Sequence, residues 1–97
     1  MKILVGTGEM GLSLSKLVDE EVGRELFETR HETRVDPDVI AAVERLGNEA
    51  SRFRDRKTGK GCVEVLEIPD GAHWKIVVDS EFMYETLLWS MSPIHFA

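Results

Sequence analysis

The sequence predicts a small two-layer α+β domain, with two helices packed on one face of a four- or five-stranded mixed sheet. Three observations carry this. Ile3-Leu4-Val5 form an unbroken aliphatic run, two later stretches place apolar residues at helical spacing, and residues 62 onward alternate apolar with polar side chains. Ninety-seven residues supply one core and no second one, so the domain is expected to span 1–97.

The elements read β-α-β-α-β-β-β. Lys2 to Val5 predicts a strand covered on both faces, because three aliphatics in succession leave no wet side. Leu14, Leu17, Val18, Val22 and Leu26 then line one helical stripe, with Ser13 as the expected N-cap and Gly23 tolerated inside. Glu28 to Val35 alternates charged with uncharged residues and reads as a strand with one wet face. Asp36-Pro37 predicts a helix start, since Asp accepts free N–H groups and Pro gives up one that has no partner. Val39, Ile40, Val43, Leu46 and Ala50 form its buried stripe. A polar loop covers 51–61. Cys62 to Ile68, a strand around Trp74, Ile76 and Val78, and Phe82 to Trp89 complete the sheet as a meander turned at Pro69-Asp70-Gly71 and Asp79–Glu81, with 90–97 as a tail. Two-layer packing of helices on a sheet follows from one apolar face per element.

Composition narrows the function. No apolar run reaches the roughly 18–20 residues of a membrane span, and the N-terminal apolar stretch is too short for a signal peptide. With one cysteine, Cys62, no intrachain disulfide forms, and a reducing compartment, the cytoplasm, is expected. Net charge is −6, yet residues 52–60 hold five basic groups against one acid, leaving about −10 on the rest. Such a surface disfavours nucleic acid and anionic membranes apart from that loop.

Gly6-Thr7-Gly8-Glu9-Met10-Gly11 follows a strand and precedes a helix. Its glycines suit close approach to a phosphate, and the helix N-terminus offers unpaired N–H groups. The chain has no room for the further βαβ units of a dinucleotide fold, and Glu9 opposes a phosphate. A tight strand-to-helix turn explains the same glycines. Arg30 and Arg34 lie near the second helix start, where planar guanidinium groups suit phosphate or carboxylate, though pairing with Glu28 and Glu32 is the plainer reading. The candidate ligand-binding set is therefore Gly6, Thr7, Gly8, Gly11, Ser13, Arg30 and Arg34. His31, His73 and His95 lack the spacing of a helical metal site, and no serine elbow or glutamate pair stands out. No catalytic residue, metal or cofactor is assigned, and a Cys62 or histidine hydrolase ranks last. Trp74, Phe82, Tyr84 and Trp89 cluster near the C-terminus, which suggests association of copies through that hairpin or the tail.

Three stretches resemble a group of small bacteriophage proteins: Arg34-Val35-Asp36-Pro37, Val43-Glu44-Arg45-Leu46-Gly47-Asn48-Glu49-Ala50, and Val65-Leu66-Glu67-Ile68-Pro69-Asp70-Gly71 with Trp74 and Ile76. That group shows Arg-x-Asp-Pro, a Val-Glu-Glu-Leu-Gly-x-x-Ala helix and a Val-Glu-Ile-Pro-Asp turn. Gly11-Leu12-Ser13 also fits its Gly-x-Ser, while Thr7, Glu9 and Met10 replace its loop aromatics. The resemblance implies a phage accessory protein that counters host defences. Joined to the glycine loop, it gives the expected function: non-catalytic sequestration of a small, anionic, nucleotide-derived signal. The alternative is a protein–protein inhibitor of a host defence complex.

Overall fold

The computed structural model describes residues 1–27, 30–79, 81 and 83–92. Its elements are β1 (Lys2–Gly6), α1 (Lys16–Val22), α2 (His31–Val35), α3 (Pro37–Leu46), a 3-10 turn (Gly47–Ala50), β2 (Val63–Glu67), β3 (His73–Val78) and β4 (Glu85–Ser90).

The α+β class holds, but the four- or five-stranded mixed sheet does not. Two separate two-stranded antiparallel sheets replace it, β1 with β2 and β3 with β4, accompanied by three helices. β1 is the divider between two apolar clusters. Leu4 faces Leu14, Val18, Val39 and Val43 on the helical side, while Ile3 and Val5 face Ile68 and Ala72 on the other. This is why the aliphatic run has no polar alternation. Trp74 and Ile76 of β3 and Leu87 of β4 pack on the second cluster, so the β3–β4 ribbon covers one side of β1 as the helices cover the other.

The expected strand over 28–35 is also corrected. Residues 31–35 form one helical turn, and the start of that stretch, Glu28 and Thr29, lies outside the described residues. Residues three apart share a helix face but oppose each other on a strand. Here His31 stacks on Trp74, rings 4.2 Å apart and 16° from parallel, while Arg34 reaches β1. The helical turn lets exposed His31 lie on Trp74 while Arg34 is buried against β1. Thr33 Oγ1 donates to the Phe27 carbonyl at 2.8 Å and ties the turn to the preceding chain.

The cap of α1 falls two residues after the expected one. Ser15 takes the N-cap position, though its hydroxyl donates to the Glu49 carbonyl rather than capping the helix. Gly23, at φ 85°, ends the helix, and its N–H and that of Arg24 return to the Asp19 carbonyl. The stop explains why Leu26 belongs to a separate segment. α3 starts as expected: Asp36 Oδ1 accepts the Asp38 N–H at 2.9 Å and Pro37 holds the first helical position. The final strand continues through Ser90, and 93–97 of the expected tail lie outside the described residues. Among the described residues, no helix is long and apolar enough to cross a membrane.

Candidate functional site: a carboxylate inside the glycine loop

The glycine loop encloses an anion, and the anion is the protein's own. Glu85, the first residue of β4, enters the loop with its Oε1 accepting the Gly6 N–H at 2.7 Å and its Oε2 accepting the Leu12 N–H at 3.1 Å. Arg34 completes the site bidentately, Nη1 to Oε1 at 2.7 Å and Nη2 to Oε2 at 2.8 Å. Nη1 also donates to the Leu4 carbonyl at 3.0 Å. The two side chains are 9% and 6% exposed, so the pair is taken out of water and its satisfaction matters.

Strand parity explains the arrangement. The Met1 carbonyl accepts from Ile68 and the Thr7 N–H donates to Cys62, so odd-numbered residues face β2. Leu4 and Gly6 therefore present their backbone groups along the opposite edge, toward β4. In a continuous sheet a neighbouring strand would satisfy them. Here the Arg34 guanidinium and the Glu85 carboxylate do so, which is the physical reason the two sheets stay separate.

The loop backbone is shaped to admit the carboxylate. A Cβ at Gly6 would lie 2.2 Å from the Gly11 carbonyl carbon and 2.3 Å from the Leu12 nitrogen. Gly11 takes φ 67°, and a Cβ there would meet Glu85 Oε2 at 3.3 Å.

Burial would push the Glu85 carboxyl up, but the Arg34 hydrogen bonds and charge and the Gly6 and Leu12 N–H groups outweigh it, holding the carboxyl below its ordinary range. A depressed folded-state value stabilises the fold above the unfolded carboxyl's pKa, about 4.3, and that stability is lost as pH falls through the folded value. Glu21, Asp55 and Asp70 are also held low and contribute in the same acid window. The Glu85 share is expected as the difference between wild type and Glu85→Gln in urea midpoints measured from pH 6 down to pH 3. The wild type should lose its advantage as acidity rises.

The structure brings together Gly6, Gly11 and Arg34 of the candidate set. Thr7 is exposed, with its N–H on Cys62, and the Gly8 carbonyl accepts from Gly11 within the loop turn. Ser13 gives its carbonyl to the Arg52 N–H. Arg30 stands apart on the surface, its guanidinium 4.8 Å from the Phe27 ring centre. Glu85 and the Leu12 N–H were missed, yet a signal exists. Leu87 packs inward on β4, and Glu85 is two residues earlier, so strand periodicity turns it toward the same side. A charge in phase with a buried apolar face calls for an internal partner.

Among the described residues, no group of three or more His, Cys, Asp or Glu side chains is arranged to hold a metal ion. A separate open depression of about 410 Å³ lies between β1 and α3, walled by Met1, Val35, Pro37, Ile40 and Ala41 with Lys2 and Glu44 at its rim. Those two rim charges pair with each other at 3.0 Å, so the depression offers no convergent polar set. No protein-family model matches the chain, and no curated protein or solved structure matches it.

Proposed function

We propose that this chain is a non-catalytic binding protein, of the small phage accessory type, that blocks a partner protein by holding it on the β3–β4 ribbon. The observation that carries this reading is the exposure of large apolar side chains on that ribbon. Val77 and Leu88, diagonal neighbours on its outward face, are 41% and 43% exposed, and on the opposite face Trp89, 47% exposed, stands beyond the cover of the core, followed by Met91 at 57%. β4 lies toward β1, and among the described residues no strand flanks the outer side of β3. An apolar strand of the partner, added along β3, would find both backbone groups and apolar neighbours. The partner proposed is a different protein, since a like net charge of −6 disfavours the pairing of two copies.

Nucleotide sequestration has weaker support. A ligand using Gly6, Leu12 and Arg34 must displace a carboxylate that already holds four hydrogen bonds there.

The test compares tagged wild type with Val77→Glu/Leu88→Glu in host lysate, alongside sedimentation of each protein alone. The reading expects a monomer, one stoichiometric protein retained by wild type, and its loss from the double variant while unfolding stability stays within about 1 kcal/mol. An equally retained protein, no retained protein, or a wild-type dimer abolished by the substitutions would overturn it.

A further inference from the structure

The basic segment 52–60 is not a loose solvated loop but a built hairpin. Arg54 and Gly61 pair as an antiparallel bridge, the Asp55 N–H donates to the Lys60 carbonyl at 2.8 Å, and the Gly59 N–H returns to the Asp55 carbonyl at 2.8 Å. Gly59 takes φ 71° to close the turn. Its base is fastened to the body: the Gly61 N–H donates to Asn48 Oδ1 at 3.0 Å, and the Cys62 N–H to the hydroxyl of buried Ser51 at 2.9 Å. The hairpin's one acid is used internally. Asp55 Oδ1 accepts the Lys57 and Thr58 N–H groups and the Thr58 hydroxyl. It therefore braces the turn and forms no ion pair with an arginine. Arg56, Lys57 and Lys60 point outward, and none makes a salt bridge among the described residues. Phe53, 38% exposed, sits at the foot of the same hairpin.

We infer that this hairpin is a contact site for the phosphate backbone of a single-stranded nucleic acid, with Phe53 as a stacking surface for a base. Three features favour this ligand. Guanidinium and ammonium groups carried on a hydrogen-bonded turn engage phosphates without a further cost for ordering the backbone. An exposed aromatic beside them suits any base. The body behind the hairpin carries about −10, which repels a broad acidic protein face or a stiff duplex laid across the molecule. A flexible strand touches the tip and turns away. The inference uses none of the ribbon residues, so it stands or falls separately from the blocking role proposed above.

The experiment is fluorescence anisotropy of labelled dT20 and rU20 oligonucleotides titrated with the full chain from 20 to 200 mM NaCl. Contact with three or four phosphates predicts a slope of log Kobs against log[salt] of about −2 to −3. Arg56→Ser/Lys57→Ser/Lys60→Ser, which keeps the bracing Arg54 and Asp55, is expected to weaken binding at least tenfold and flatten that slope. Phe53→Ala is expected to weaken binding several-fold at unchanged slope. Absence of binding at 20 mM salt, or equal binding by the triple variant, overturns the inference. So does labelled poly-glutamate binding with the same affinity and slope as the oligonucleotides, which would reassign the hairpin to acidic protein.

Discussion

Glu85→Ala is expected to destabilise the protein by about 3–5 kcal/mol in urea or thermal unfolding, because it leaves the Arg34 guanidinium buried without its counter-charge. A domain of this size has about 5–15 kcal/mol in total, so the variant should lie near the edge of folding. Arg34→Met should fall in the same range, since it strands the carboxylate instead. The double variant Arg34→Met/Glu85→Leu separates this pair from an ordinary buried ion pair. Replacing an ordinary pair with apolar side chains is often neutral. Here the Leu4 carbonyl and the Gly6 and Leu12 N–H groups would lose their partners, and each unmet buried group costs about 1–3 kcal/mol. The double variant should therefore remain destabilised by at least about 2 kcal/mol. Recovery to wild-type stability would show that the backbone contacts contribute nothing.

Gly6→Ala is the second large effect. The added carbon would fall 2.2–2.5 Å from Gly11 and Leu12 backbone atoms, and backbone moves only by distorting the loop that holds Glu85. A loss above about 3 kcal/mol is expected, beyond the usual 1–3 kcal/mol of overpacking. Gly8→Ala provides the contrast. Its new carbon meets Cys62 Sγ at 2.8 Å, which can rotate aside, and Cys62 Cβ at 3.0 Å, which must give by a few tenths of an ångström. The loss should be smaller, and Cys62→Ala should restore the part that comes from Sγ. Equal losses at the two glycines would mean that loop closure around the carboxylate is not the governing constraint.

Local signals were legible where one residue determined one feature. The Asp36-Pro37 helix start, the two-sided burial of Ile3 to Val5 and the turn at Gly71 all follow from side-chain size, capping or φ. The sheet was not legible, because its extent depends on what lies beside β1. Two side chains far apart in sequence, Arg34 and Glu85, take the place of a ladder, and no periodicity announces such a substitution. The α2 turn was misread for a related reason. Its alternating charges imitate a strand, while the decisive constraint is that His31 meets Trp74 at the surface as Arg34, one turn on, is buried against β1. For the candidate site, the glycine spacing signalled an enclosed anion, and Arg34 was among its named partners. The source of that anion was Glu85, whose phase with inward-packed Leu87 was the one signal for it.

The side-chain carboxyl of Glu85 can be followed directly by carbon-detected NMR as pH is lowered, together with the amide proton of Gly6. If this carboxylate fills the loop, it titrates below the ordinary glutamate value of about 4.3 and the Gly6 amide moves with the same midpoint. A midpoint at or above that value, with a Gly6 signal indifferent to it, would contradict the arrangement on which the fold and site are explained.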